Sequence, residues 1–106
     1  MSAKQHQNAR EIADYLSFLA HPLRLLIVCL LLQREEMCAM EIIAEVGTTK
    51  GNISQHLKLL LLKKMVSRRR EANRVYFQIA DKKLAVIIKT LKECCCPNLK
   101  GQAAVL

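Results

Sequence analysis

The sequence predicts one mainly α-helical domain that contains a single β-hairpin. The chain has 106 residues, 52% of them hydrophobic, so it can bury one modest core instead of remaining disordered. It holds only 3 Gly and 2 Pro, fewer turn-forming residues than an all-β fold would need. Apolar residues recur at helical spacing along most of the chain, and an alternating, strand-like pattern begins only after Met65.

The first two helices are predicted on either side of the dipeptide His21-Pro22. Residues 9–20 have apolar side chains on one helical face, which indicates an amphipathic helix. Pro22 is favourable in the first turn of a second helix over residues 22–33. Because that segment is apolar on nearly every side, we expect it at the centre of the fold. Residues 34–38 are predicted to form a connector.

The next segment has the pattern of a helix-turn-helix. A short helix is predicted over residues 39–46, followed by Gly47, and left-handed glycine geometry commonly ends a helix. Thr48 or Thr49 can then cap a helix over residues 50–63 by accepting a hydrogen bond from an early backbone N–H. Two helices joined by such a tight turn form the arrangement with which many proteins bind the major groove of DNA.

A hairpin and a last helix follow. Residues 66–70 and 75–79 are predicted strands, and Asn73 between them can adopt the positive φ that a tight turn often needs. Asp81 can cap the last helix, and Pro97 should end it. The apolar stripe of this helix consists of Leu84, Ile87, Ile88, Leu91 and Cys95.

The whole chain, residues 1–106, is expected to form this one domain, with residues 1–8 and 98–106 frayed at its ends. The longest apolar run, residues 25–32, is well short of the ~18–20 residues that cross a bilayer. The first fifteen residues are polar and lack the pattern of a signal peptide. We therefore expect a cytoplasmic protein with no membrane partner.

Positive charge is concentrated in one part of the chain. The net charge is +8, and residues 50–74 hold eight basic residues against Glu71 alone, whereas residues 1–49 are net acidic. A concentrated positive field predicts a polyanionic partner, namely double-stranded DNA. The alternative is a solvated surface that maintains solubility, but such a surface usually intersperses both signs of charge.

The helix over residues 50–63 combines an apolar face with a polar one. Ile53, Leu57 and Leu60 lie within one arc and should face the core. The predicted DNA-contacting residues of this helix are Lys50, Gly51, Asn52, Ser54, Gln55, His56 and Lys58. Side-chain amides can bond the adenine edge, Lys suits a phosphate, and Gly permits close backbone approach. His56 lies between the two arcs, so packing or a phosphate contact is expected there rather than metal ligation.

The hairpin is the second predicted contact with DNA. Arg68, Arg70, Asn73 and Arg74 are expected to reach the adjacent phosphates or the minor groove. Alternate strand residues point to opposite faces, so not every Arg in this run can touch DNA. A basic edge that prevents aggregation is the alternative interpretation.

A chain of this size reads few base pairs alone. A symmetric dimer would place two recognition helices about one DNA turn, ~34 Å, apart on an inverted repeat. The first and last helices are terminal and amphipathic, so we expect them to form the homodimer surface.

The chain resembles the ArsR/SmtB family of bacterial repressors over residues 9–97. The segments that carry the resemblance are LAHPLRLLIVCLL at 19–31, TKGNISQHLKLL at 49–60 and NRVYFQI at 73–79. The resemblance implies a winged helix-turn-helix of order ααααββα that forms homodimers and leaves its operator when an inducer binds. It implies no enzymatic activity, and the sequence offers neither a Cys-x-x-Cys motif nor a paired His for one.

The cysteines are similar to those of the family's persulfide- and redox-sensing dithiol branch, the biofilm-growth-repressor and sulfide-responsive-repressor type. The zinc, nickel and cobalt ligands of other members are missing, because residue 40 is Met and residues 81–96 contain no His. The branch implies that Cys29 and Cys96 form a disulfide or polysulfide bridge on reaction with persulfide, polysulfide or an oxidant, with no metal or cofactor. The register of the resemblance makes Cys96 the partner of Cys29. The apolar stripe of the last helix would instead select Cys95.

An alternative inducer is arsenite or another thiophilic ion. Soft thiolates suit such ions, and Cys94, Cys95 and Cys96, with Cys38, could supply three of them. Without the resemblance, Cys29 would be interpreted as a small core hydrophobe, which is common for a free Cys.

Overall fold

The computed structural model describes residues 1–96 as five helices and one three-stranded sheet. In chain order the elements are α1 (Ala3–Leu19), α2 (Pro22–Arg34), β1 (Glu36–Cys38), α3 (Ala39–Val46), α4 (Lys50–Leu62), β2 (Val66–Glu71), β3 (Arg74–Ile79) and α5 (Lys83–Cys95). The predicted helix end at Pro97 and the predicted fraying of residues 98–106 concern residues outside the described part. A helix-turn-helix followed by a hairpin confirms the predicted winged fold.

The centre of the fold is α2, as its composition predicts. Five consecutive residues of this helix, 27–31, are buried on all sides, so no face of it is left for solvent in that stretch. Helices α3, α4 and α5 and strands β1 and β3 all pack against α2. The core therefore forms around one helix, which contacts α4 directly, while β2 of the hairpin is attached through β3 and α4.

The turn between α3 and α4 forms as predicted. Gly47 has a left-handed φ of 76°, and its N–H donates to the Ile43 carbonyl at 3.0 Å, which ends α3. Thr49 is the residue that caps α4, since its Oγ1 accepts from the Asn52 backbone N–H at 3.2 Å. These two local interactions fix the direction in which α4 leaves the turn.

Residues 36–38 form a strand, so the prediction that residues 34–38 are a connector is wrong. Strand β1 pairs antiparallel with β3, which lies between β1 and β2. Met37 is opposite Phe77, and both are buried. Three residues are too few to show an alternating pattern, and their partner strand comes some forty residues later, so local sequence could not indicate the pairing.

The hairpin turn differs from the prediction in one residue. Ala72, and not Asn73, has the positive φ, 55°, in the two-residue connection between β2 and β3. Two-residue hairpin turns exist in forms that need a positive φ at only the first central position, and the chain uses such a turn despite the lower left-handed preference of Ala.

Helix α1 begins at Ala3, so the predicted start at residue 9 and the predicted fraying of residues 1–8 are corrected. The reason is a capping box: Ser2 Oγ accepts from the Gln5 backbone N–H at 3.2 Å, and Gln5 Oε1 accepts from the Ser2 N–H at 2.8 Å. Residues 1–14 are nevertheless all exposed, and Leu19 is the one fully buried residue of α1. Most of this helix therefore packs on nothing within residues 1–96.

Helix α5 begins at Lys83, so its N-cap residue is Lys82 and not the predicted Asp81, although the Asp81 side chain still bonds the first turn. Asp81 Oδ1 accepts from the Lys83 backbone N–H at 3.0 Å, and Asp81 Oδ2 accepts from the Tyr15 hydroxyl at 3.0 Å, which links α1 to the start of α5. Burial and this bond raise the pKa of Tyr15 to about 12. Leu84 and Ile88 are buried, but Leu91 and Cys95 are exposed, so the chain's own core covers only the first half of the predicted stripe.

No single helix within residues 1–96 is both long enough and hydrophobic enough to cross a membrane. Helices α1 and α2 together would meet these two requirements, but they are bent by 87° where they join.

Candidate nucleic-acid interface

The exposed face of α4 is the one the sequence predicts, apart from His56. Ile53, Leu57 and Leu60 point into the core and are at most 3% exposed. The exposed residues of the predicted face are Lys50, Gly51, Asn52, Ser54, Gln55 and Lys58. A Cβ on Gly51 would meet nothing within 4 Å, so packing inside the chain does not require glycine there. This polar face is free to meet a partner along its whole length.

Asn52 is held by the turn that precedes α4. Its Nδ2 donates to Thr48 Oγ1 at 3.2 Å, and its backbone N–H donates to Thr49. The side-chain amide is thus already oriented at the first turn of the helix. The Asn52 amide must give up its hydrogen bond to the Thr48 hydroxyl before it can donate to a base. The Gln55 amide has no hydrogen-bond partner among the described residues and can donate directly.

The three consecutive arginines of β2 divide between the two faces of the sheet. Arg68 pairs across the hairpin with Phe77 and Arg70 with Val75, so these two arginines lie on the face that carries the buried Phe77. Arg69 pairs with Tyr76 and lies on the opposite face. The division of the run between two faces, on which the expectation of partial DNA contact rests, is therefore observed.

Arg69 connects the hairpin to the body of the domain. Its Nε and Nη2 donate to the two carboxylate oxygens of Glu36 on β1, at 2.8 and 2.7 Å, and its Nη1 donates to Glu71. The guanidinium also lies over the Tyr76 ring, 4.8 Å from its centroid. Arg69 lowers the pKa of Glu36 by this bidentate bond. Arg68, Arg70 and Arg74, by contrast, are exposed and form no ion pair within residues 1–96.

A groove of about 610 Å³ separates α4 from the hairpin. Its polar rim consists of Ser54, Lys58 and Arg68, and its floor is apolar and includes Leu57 and Phe77. The groove therefore brings a cation of the helix and a cation of the hairpin to one opening. Sequence alone placed these two cations on separate elements and could not show that they share an edge.

His56 lies inside, and its burial does not support its inclusion among the DNA-contacting residues. It is 8% exposed, and its Nδ1 accepts from Arg24 Nε at 3.3 Å. Its ring is 4.4 Å from that of His21, centroid to centroid. Of the two roles predicted for His56, packing is the one its position fits. Sequence reasoning missed Arg24 entirely, because its partners lie on α1 and α4.

The cysteines occupy two kinds of environment. Cys29, in the middle of α2, and Cys38, at the end of β1, are buried free thiols, whereas Cys94, Cys95 and Cys96 are exposed free thiols at the end of α5. Burial raises the pKa of Cys29, and the nearby charge of Lys92 on α5 partly opposes that rise. Lys92 lies one helical turn before Cys96, on a helix that packs against α2.

No group of three His, Cys, Asp or Glu side chains within residues 1–96 converges to hold a metal ion. The three adjacent cysteines follow one another at the end of a helix, where successive side chains point about 100° apart.

A helix-turn-helix followed by a basic β-wing defines the winged-helix class of DNA-binding proteins. Residues 21–67, from the N-cap of α2 to the start of β2, match the family model described as "Bacterial regulatory protein, arsR family". The chain is 35% identical over 85 residues to the biofilm growth-associated repressor of Agrobacterium fabrum, covering 80% of this chain and 72% of the relative. It is 32% identical over 95 residues to the transcriptional regulator YgaV of Escherichia coli, covering 90% and 96%.

Solved structures agree. NolR from Sinorhizobium fredii superposes with a TM-score of 0.80 at 34% identity, covering 90% of this chain and 94% of that one. The repressor BigR from Xylella fastidiosa superposes with a TM-score of 0.77 at 28% identity, covering 92% and 95%. The chain belongs to the ArsR family: it is a DNA-binding transcriptional repressor and not an enzyme.

Proposed function

We propose that this repressor binds an inverted-repeat operator as a homodimer, with α4 in the major groove and the wing on the flanking backbone. The observation that carries the proposal is the charge of this surface, where residues 50–74 contain eight basic residues and one acidic residue. Of these basic residues, only Arg69 forms an ion pair with carboxylates within residues 1–96. The others are available to phosphates, and each phosphate contact adds salt dependence to binding.

Each exposed residue of α4 has a role that its chemistry suits. Gln55 and Asn52 carry amides that can bond both hydrogen-bonding atoms of an adenine edge. Lys58 and Lys50 suit phosphates on either side of the groove. Gly51, with open space beside it, lets the backbone of the first turn come close to DNA. Ser54 lies beside Lys58 at the groove and can bond a phosphate or a base.

The wing contributes contacts that position the protein. Arg70, Asn73 and Arg74 surround the hairpin turn and can reach the adjacent backbone or minor groove. Arg68 shares the groove with Lys58, so one phosphate there can be contacted from both elements. The bond from Arg69 to Glu36 keeps the wing at a fixed angle to the body, which reduces the entropy lost on binding.

We expect Lys58→Ala to weaken binding about equally for all duplexes and to lower the slope of log affinity against log salt by about 1, because one phosphate contact is lost. Lys58 is exposed and has no partner within residues 1–96, so the fold should not change. The measurement is fluorescence anisotropy from about 50 to 200 mM salt. Lys82→Ala, at an exposed position beside α5, is the matched control. A salt slope unchanged in Lys58→Ala, or equally reduced in the control, contradicts the assignment.

The dimer part of the proposal is supported by apolar side chains that nothing in the described chain covers. On α1, Ile12 is 61% and Leu16 is 49% exposed, and these residues share one helical face. On α5, Val86 is 68% and Leu91 is 41% exposed. A helix with as few buried residues as α1 gains little from its own core, so a second copy is the natural source of packing.

We expect the protein to sediment at twice its 12.0 kDa chain mass and Leu16→Glu to shift it towards the monomer, because a carboxylate would then be placed in an apolar interface. Sedimentation velocity over a range of concentrations measures this. Met40→Glu is the matched control, since Met40 is 70% exposed on α3. A monomeric parent protein, or a dimer that Leu16→Glu leaves intact, would be inconsistent with the proposed surface.

We propose further that a thiol pair controls operator binding, with persulfide, polysulfide or an oxidant as the inducer. Cys29 is buried in α2, and the exposed Cys96 or Cys95 ends α5 close to Lys92, whose charge acts on Cys29. The exposed thiol can meet a small donor, while the buried one is shielded from it. A bridge between them would tie α5 to the central helix and shift the two recognition helices of the dimer relative to each other.

The bridge forms in two balanced steps. The thiolate of Cys96 attacks the outer sulfur of a persulfide, forms a Cys96 persulfide and expels the donor's thiolate. The Cys29 thiolate then attacks the Cys96 sulfur, closes the disulfide and expels hydrosulfide. The donor is reduced and the two protein thiols are oxidised. Arsenite sensing is less well supported, because no three ligands converge within residues 1–96 and Cys38 is buried apart at the start of α3.

We expect a persulfide donor to produce a peptide linking Cys29 to Cys95 or Cys96 and to release DNA, both detected on the same sample by mass spectrometry and anisotropy. Because burial raises the pKa of Cys29, closure should accelerate by about tenfold per pH unit below that pKa, as the thiolate fraction grows. Cys29→Ser should abolish both effects, and Cys38→Ser, at the other buried thiol, should preserve them. DNA release that survives in Cys29→Ser would rule this mechanism out.

A further inference from the structure

The part of α4 that faces away from the proposed DNA surface is attached to the rest of the domain by a small polar cluster. The histidine cluster consists of His21, Arg24 and His56, and it joins the start of α2 to the middle of α4. Arg24 Nε donates to His56 Nδ1 at 3.3 Å, and Arg24 Nη1 donates to the Phe18 carbonyl at 2.8 Å, at the end of α1. One guanidinium thus connects α1, α2 and α4.

Both imidazoles of the histidine cluster accept hydrogen bonds through Nδ1. His56 Nδ1 accepts from Arg24, and His21 Nδ1 accepts from the Leu23 backbone N–H at 3.2 Å, which caps α2. A ring nitrogen that accepts carries no proton, and an imidazolium donates from both nitrogens. Both hydrogen bonds therefore require neutral rings.

The groups around His56 disfavour a proton on its ring. Arg24 faces it from α2, and His21 faces it from the α1–α2 junction with its ring centroid 4.4 Å away. Arg24 also lies 4.3 Å above the Phe18 ring, and Lys63, at the end of α4, lies 5.6 Å from the same ring. Helix α3 and strand β2, which also pack on α4, bring no charged side chain to His56 within residues 1–96.

No carboxylate offsets this positive charge. Within residues 1–96, neither Arg24 nor either imidazole pairs with Asp or Glu. Burial first, and then His21 and Arg24, lower the pKa of His56. Since the folded-state pKa is lowered, the neutral cluster contributes its full stability above the unfolded pKa of about 6.5, and this contribution is lost as the pH falls towards the folded value.

We propose that His21, Arg24 and His56 position the recognition helix through neutral imidazoles, so that acidification releases α4 and weakens DNA binding. The inference rests on the proposed DNA interface. His56 lies between Gln55, on the exposed face, and Leu57, in the core. Proton uptake on Nδ1 replaces its bond to Arg24 with repulsion between two cations. The helix then tilts out of register with the wing, although no residue of the cluster touches DNA.

The direction of the effect distinguishes this positioning role from simple electrostatics. An imidazole beside DNA gains a phosphate contact when protonated, so acid would strengthen binding. Here acid weakens it. A cluster with a merely structural role would change the stability of the fold, but it would not make DNA affinity fall as the pH is lowered.

The experiment uses the reduced full chain and a duplex that it selects from a random pool at pH 7.5. Affinity is measured by anisotropy from pH 8 to 5.5 at constant ionic strength. The parent protein should lose about tenfold or more, within the usual range of allosteric coupling. Replacement of both rings, His21→Asn with His56→Asn, keeps an acceptor oxygen at each position but leaves no imidazole in the cluster, and should flatten the profile. His6→Asn, at an exposed histidine of α1, should keep the parent profile.

A parent affinity that is constant or rises on acidification overturns the inference, and so does a double variant that loses as much affinity as the parent. A second measurement needs neither the variant nor DNA: NMR follows the His56 ring and the α4 amides of the parent protein through the same pH range. Chemical-shift changes of the α4 amides that follow the protonation of the His56 ring support the inference. Protonation of the ring with unchanged α4 amides overturns it. If the parent protein selects no duplex at pH 7.5, the DNA interface fails independently of this result.

Discussion

The burial of α2 is the constraint on which the rest of the structure depends. Residues 27–31 are enclosed on every side, and α3, α4, α5, β1 and β3 pack against this helix. Close-packed interiors transmit displacement because they have few voids in which to absorb it. A change at either end of α2 is therefore felt by α4 and by α5, although neither end lies on the proposed DNA surface.

Two sensitive positions lie on this one helix. Arg24, near its start, bonds His56 of α4, and Cys29, in its middle, is buried and feels the charge of Lys92 on α5. In our proposals, a proton on His56 breaks the contact at the first position, and a bridge from Cys96 or Cys95 closes onto the second. The first change would move α4 relative to α2, and the second would move α5 relative to α2. DNA binding needs both helices in fixed positions. Coupling of about 1–3 kcal/mol at either position suffices to change occupancy 5–150-fold.

The sequence predicted what local patterns determine. The apolar arc of α4, the Gly47 turn and the Thr49 cap depend on neighbours within a few residues, and all three are confirmed. Contacts between distant segments were missed: the pairing of β1 with β3, the bond from Arg69 to Glu36, and the cluster around His56. In each case the partners are more than thirty residues apart, so no periodicity indicates them. The His-Pro-x-Arg spacing at the start of α2 was the one signal that could have singled out Arg24.

The central claim is that α4 and the wing together form the surface that meets DNA, and amide NMR of the reduced protein titrated with its selected duplex tests it most directly. The account predicts that chemical-shift changes concentrate at residues 50–58 and around the hairpin turn at residues 68–74, with smaller changes along α2. Changes confined to α1 and α5, with α4 and the hairpin unaffected, would contradict it.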